Sequence, residues 1–262
     1  MSTPLAPSRH DDPAARGNAV PLPSRILRHG GYETALMLRN GEQLVLAVVL
    51  PLLALVGLTL VDVLDGVGPT RIDAAAPGVL ALCVVSTAFT GQGIATGFDR
   101  RYGVLTFLST TPLGKAGLIF GKAVAVLCVL ALQVVLIAVV ALLLGWRPDP
   151  AGILAAVPLL LLGTAAFTSL GLLIAGTVRP EATLAITNLA WVLLAAAGGL
   201  LLPADRLPGA LSALVGFLPS AALGDGLRAA LIDGALPLGP FVVLLVWAVA
   251  AGTAATRWFK WT

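Results

Sequence analysis

The chain has 262 residues, of which 58% are apolar and only 11% charged, with a net charge of +3. A soluble domain carries roughly 25% charged residues, so this composition belongs in a lipid bilayer, and the small positive balance suggests no nucleic-acid partner. The two cysteines, Cys83 and Cys128, lie inside apolar runs, and both histidines, His10 and His29, precede the first such run; no His/Cys/Asp/Glu cluster has metal-ligand spacing, which argues against an intramembrane metal or haem centre.

In chain order, residues 1–23 are polar and proline-dotted, with no apolar core near the start; they read as a disordered cytoplasmic tail. Residues 24–43, "SRILRHGGYETALMLRNGEQ", interleave Ile26, Leu27, Tyr32 and Met37 with Arg25, Arg28 and Arg39, as an amphipathic helix on the inner membrane surface would. Six apolar stretches of about 20 residues or more come next, the length a spanning helix needs: about 44–63, 78–98, 118–144, 151–178, 182–202 and 236–256. The expected fold is therefore all-α and polytopic, with six transmembrane helices and an interfacial helix ahead of them. The stretch 203–235 is too apolar for a plain loop and too broken by Pro203, Pro208 and Pro219 for one span; it reads as short helices dipping into the outer leaflet. With the N-terminus inside, 12 Lys and Arg flank inner segments, Lys122 included, and 4 flank outer ones, which places both termini in the cytoplasm.

Nucleotide chemistry is absent. Gly117 to Ala123, "GLIFGKA", is one residue short of a phosphate-binding loop, lacks its hydroxyl and enters a span; Gly117 and Gly121 suit close helix packing instead. The carboxylates lie in loops or at span ends, which disfavours proton or sodium coupling, and no hydrolase triad or G-x-S-x-G elbow occurs. Within the spans the polarity is neutral: Ser86, Thr87, Thr90, Gln92 and Thr96 in the second, Gln133 in the third, Thr187 and Asn188 in the fifth, with Trp191 one turn on. These groups either bond helix to helix or line a path for an amphiphilic substrate, and the lack of fixed charge among them favours a neutral or amphiphilic one.

One segment interrupts the apolar pattern: "TGFDRRYGVLTFLSTTPLGKAGLIFGK", 96–122. A short helix from Phe98 to about Thr110 would set Phe98, Arg101, Leu105 and Leu108 on one side, with Pro112 ending it. A compact element joined to two spans can transmit a push to both; it can equally serve as a basic connector that fixes topology.

Three blocks carry a resemblance: "LRNGEQLVLAVVLPLL" at the entry to the first span, "FDRRYGVLTFLSTTPLGKAGLIFGKAVA" between spans two and three, and "LLPADRLPGALSALVGFLPSAALGDGLRAAL" on the outer side. The chain resembles membrane subunits of the type-2 ABC exporter family, which handle drugs, lipids and lipid-linked glycans. The resemblance implies a non-catalytic permease in the plasma membrane, exporting a hydrophobic or drug-like molecule, as in multidrug efflux. It implies a partner set of two ATP-binding subunits, which would hold the ATP and Mg, and a second permease, identical or related. Segment 99–117, with Asp99, Arg100, Arg101, Gly103, Pro112, Leu113 and Lys115, would couple to the ATPase; Asp99 stands where many members have Glu. The first and fifth spans would face the partner permease. The second and fifth would line the path, at Gln92, Thr96, Asn188 and Trp191. Rival readings are a lipid, glycan or cofactor exporter of the same fold, a non-transporting scaffold, and an ATP-independent carrier.

Overall fold

A computed structural model describes residues 20–259 of the chain. Residues 1–19 of the expected tail lie outside the described residues, as does Lys260. Helix α1 (Leu22–Arg39) starts two residues ahead of the expected 24, with prolines at its start, where their fixed φ suits a first turn and their missing N–H costs nothing. The chain turns at Asn40 into α2 (Gly41–Leu60), whose 20 residues give about 30 Å of rise, the thickness of a hydrocarbon core.

The second span departs most from expectation. It begins at Arg71 rather than 78, because Thr70 caps it by accepting a hydrogen bond from the Asp73 amide, and it runs unbroken to Arg101. It has three parts: α3 (Arg71–Val84), a π-helical segment (Val85–Gly91) and α4 (Gln92–Arg101). The Gln92 amide reaches back to the Thr87 carbonyl, five residues away, in place of the usual four. This span is the centre of the molecule, with 94% of its apolar window buried.

After α4 come α5 (Val104–Ser109), α6 (Gly114–Leu143), α7 (Pro150–Thr177) and α8 (Pro180–Ala197). The expected helix Phe98–Thr110 does not form as one piece. Gly103, at φ +72°, is left-handed, a conformation glycine adopts without steric cost, and it separates α4 from α5. Nor does the fifth span reach 202: α8 stops at Ala197, and Gly199 turns the chain at φ +75°. The outer stretch forms two helices, α9 (Ala210–Gly216) and α10 (Pro219–Asp233), bent 85° apart, before α11 (Leu238–Trp258). Arg228, buried on α10, donates to the carbonyls of Gly199 and Leu200, which the end of α8 leaves open, and pairs with Asp225.

The protein is thus an all-α polytopic membrane protein. Among the described residues five helices are long and apolar enough to cross a bilayer; the bent pair α9–α10 passes the same test together, and α2 contributes the shorter apolar stretch Ala47–Leu60. Cys83 is buried in the core and Cys128 is exposed on α6.

Candidate functional site: the turn between α4 and α5 and the cavity above it

At the arginine-rich end, α1 lies across the start of α6. Contact is close because both helices present glycine: a Cβ on Gly30 would strike Val124, and one on Gly121 would strike the His29 ring. The packing role expected of Gly121 therefore has a partner, the interfacial helix. Gly117 instead faces Leu113 in its own turn.

The same crossing buries an ion cluster. Lys122, grouped with the inner loop by sequence, is a helical residue of α6 with no solvent exposure. Its ammonium donates to Asp99 Oδ2 at 2.9 Å and to both Glu33 oxygens at 3.0 and 3.2 Å. Three elements meet at one cation: α1 through Glu33, α4 through Asp99 and α6 through Lys122. His29 Nε2 stands 3.5 Å from Glu33, too far for a firm hydrogen bond. Burial holds the His29 imidazole below its ordinary value; Glu33 and Asp99 oppose that shift, and the Lys122 charge reinforces it.

Within the expected coupling segment the residues divide by direction. Asp99 turns inward to Lys122. Arg100 also turns inward, donating to the carbonyls of Ala175 and Val178 at 3.3 and 3.0 Å, where α7 ends with unpaired acceptors. Arg101 is half exposed, 3.5 Å from a similarly exposed Glu181. Gly103 makes the turn. The Pro112 carbonyl accepts from Arg25 Nη1 at 2.7 Å, which ties the start of α1 to the same element. Leu113 packs beside the small core of Leu105, Leu118 and Phe259. The Lys115 side chain lies outside the described residues. Sequence reading missed the exposed apolar face here: Tyr102 and Phe107 are 73% and 70% exposed, with Val104 and Phe98 beside them. Stacking of Phe98 on Tyr102, with ring centroids 6.2 Å apart, keeps that face ordered.

Directly above, a cavity of about 730 Å³ lies between the α1–α2 junction, the second span and α8. The π segment supplies Ser86, Thr87, Thr90 and Gly91 to its wall; α4 adds Ile94, Ala95, Phe98 and Asp99, and α8 adds Leu184, Asn188 and Trp191. Of the four expected path residues the cavity brings together Asn188 and Trp191, and Trp191 Nε1 donates to Ser86 Oγ at 2.8 Å. The other two do not reach it. Gln92 and Thr96 are 1% and 0% exposed and lie outside the wall, with Gln92 against Met37. A π turn holds more residues than an α turn, so it rotates the helix beyond it, and Ile94, Ala95 and Phe98 take the cavity side.

Gln133 supports this wall from behind. Its amide donates to the Ala47 carbonyl at 2.6 Å, and its oxygen accepts from the Thr87 hydroxyl at 2.9 Å. Ala47 needs that bond: its helical donor would be residue 51, which is proline and has no N–H. A glutamine deep in the third span, opposite a proline in the first, was the sequence signal for this bridge.

The ABC-2 type transporter family model matches residues 31–232, most of the chain. The chain belongs to that family and is a membrane permease subunit of an ABC system, a non-catalytic transport component whose family implies an ATP-binding partner. No individual curated protein matches it.

Proposed function

We propose that this permease exports a hydrophobic or amphiphilic, drug-like molecule from the cytoplasm or inner leaflet of the plasma membrane. Two copies of an ATP-binding subunit, holding the ATP and Mg, would dock on the α4–α5 turn at the cytoplasmic surface, with both termini of the permease on that side. The observation that carries this reading is the position of the cavity. Its lower end, at Asn40, Phe98 and Asp99, adjoins the turn, so α4 belongs to both.

Closure of the ATPase pair would push on Arg101, Tyr102 and Phe107, the exposed residues of the turn. The bonds of Asp99, Arg100 and Pro112 make the turn, α1 and the ends of α6 and α7 one body, so the push reaches the cavity wall rather than being absorbed locally. Leu53 and Leu189 are exposed on α2 and α8, the helices that carry the wall residues Leu50 and Asn188, and would suit a second permease, so that two half-cavities form one path.

The test is purification of the tagged chain from its native membranes in mild detergent, then reconstitution of whatever ATPase accompanies it. ATP-driven loss of a hydrophobic fluorescent dye from the inner compartment or leaflet is the expected result. A chain that purifies alone under several detergents and with nucleotide present would overturn the reading.

A further inference from the structure

Among the described residues the cavity wall holds one ionisable side chain, Asp99. The Asp99 side chain is 27% exposed and lies in the wall, whereas the Lys122 side chain paired with it has no exposure and lies outside the wall. Charge around it does not balance. Lys122 serves two carboxylates, Asp99 and Glu33. Burial disfavours a charge on His29, which also stands too far from Glu33 for a firm hydrogen bond. Among the described residues one negative charge is therefore left over where the cavity begins. The next two cations in the chain are engaged elsewhere, Arg100 on the end of α7 and Arg101 at Glu181. Arg39 lies on the exposed side of α1 and outside the wall.

The rest of the wall suits a weakly hydrated cation. Phe98 and Trp191 offer aromatic surface, and such faces attract positive charge. Thr90 places a hydroxyl there with no partner among the described residues. In a low-dielectric cavity a counter-ion discriminates strongly, since unit charges interact there several-fold more strongly than in water.

We propose that the cavity selects cationic amphiphiles, with Asp99 as the counter-ion that an incoming positive charge shares with Lys122. The proposal rests on the reading of the cavity as the substrate site. It also gives the ion cluster a purpose. When Asp99 turns to the cargo, Lys122 keeps Glu33, so α1 and α6 stay joined while the tie to α4 loosens. Occupancy of the cavity is thereby felt in the coupling turn.

Equilibrium binding to the permease in lipid nanodiscs tests this, with tetraphenylphosphonium, its uncharged analogue tetraphenylmethane and the anion tetraphenylborate as probes, and empty nanodiscs as background. The wild-type chain is expected to bind the phosphonium at least about tenfold more tightly than the uncharged analogue, one decade in Kd, and the borate more weakly still. Asp99→Asn should bring the phosphonium to the level of the uncharged probe while leaving that probe unchanged, which also reports an intact cavity; Asp99→Glu should restore the preference. Equal affinity for the three probes, or a phosphonium affinity that survives Asp99→Asn, overturns the charge selection and leaves the exporter reading standing. Failure of all three to bind above background overturns both.

Discussion

Lys122 has no exposed surface and is surrounded by negative groups, so it is the residue whose loss is felt most. Removing it leaves two partly buried carboxylates facing each other. Lys122→Met should lower stability by an amount near the lower end of the about 3–5 kcal/mol that breaking a buried pair costs, since both acids keep some contact with water. Thermal unfolding monitored by size-exclusion chromatography checks it: adding Glu33→Gln and Asp99→Asn to Lys122→Met should restore most of the melting temperature, because uncharged neighbours need no cation. His29 gives a pH prediction. Its folded value lies below 6.5, so the unfolded chain takes up the proton first; stability is whole above about pH 6.5 and falls as the pH drops toward the folded value. Melting curves at pH 7.5 and 5.5 should show that loss in the wild type and a smaller one in His29→Gln. None of this was legible in the sequence. Lys122 sits beside a basic loop and by sequence groups with it, while its partners lie 23 and 89 residues away. Only the fold brings such residues together.

Helices were legible because apolar length is a local property, and their ends were less so because ends depend on caps and turns. Thr70 and Asp73 start the second span earlier than hydropathy does, and Gly103 and Gly199 end α4 and α8 where composition shows no break. The π segment was invisible, since no residue pattern in Val85–Gly91 distinguishes it from α-helix; with it went the register that puts Gln92 and Thr96 behind the wall. Packing and one bridge hold this register. Gly171 lets α7 approach until a Cβ there would lie 2.6 Å from the Phe89 carbonyl, and Gln133 fastens Thr87 to the carbonyl freed by Pro51. Gln133→Leu should therefore cost about 1–2 kcal/mol, in line with two interhelical hydrogen bonds in a membrane. Solvent or probe access at Ser86 and Thr90 should change with it. Cysteine substitution at those two positions and labelling rates in the two backgrounds measure this; identical rates would make Gln133 a helix fastener with no bearing on the cavity.

For the molecule as a whole, the family was legible from three blocks of sequence, but the division of labour among the charges was not. Asp99, Arg100 and Arg101 are consecutive, yet two point inward and one outward. The docking prediction accordingly narrows to Arg101. Arg101→Glu removes only an exposed contact with Glu181, the kind worth about 0–1 kcal/mol, so folding should be unchanged. Association with the ATPase should weaken about tenfold, more at low salt than at high, as for a charge at an interface rim. Co-purification yield and light-scattering titration read both. Arg100→Glu is expected to fail differently, by lowering the melting temperature, since it would oppose the carbonyls at the end of α7 with another negative group. A complex that forms normally with Arg101→Glu would move the docking surface away from this turn.

The π segment has one further consequence. Helices bend most readily where their hydrogen-bond ladder is irregular, and here that place is Val85–Gly91. Below it α4 forms a stiff arm of ten residues, about 15 Å, ending at the turn; above it α3 is fixed in the core. On the proposed reading the second span would act as a lever whose fulcrum supplies four residues of the cavity wall. On that reading, any stroke of the arm would re-aim the polar groups of the cavity wall, so grip and motion would not be set separately.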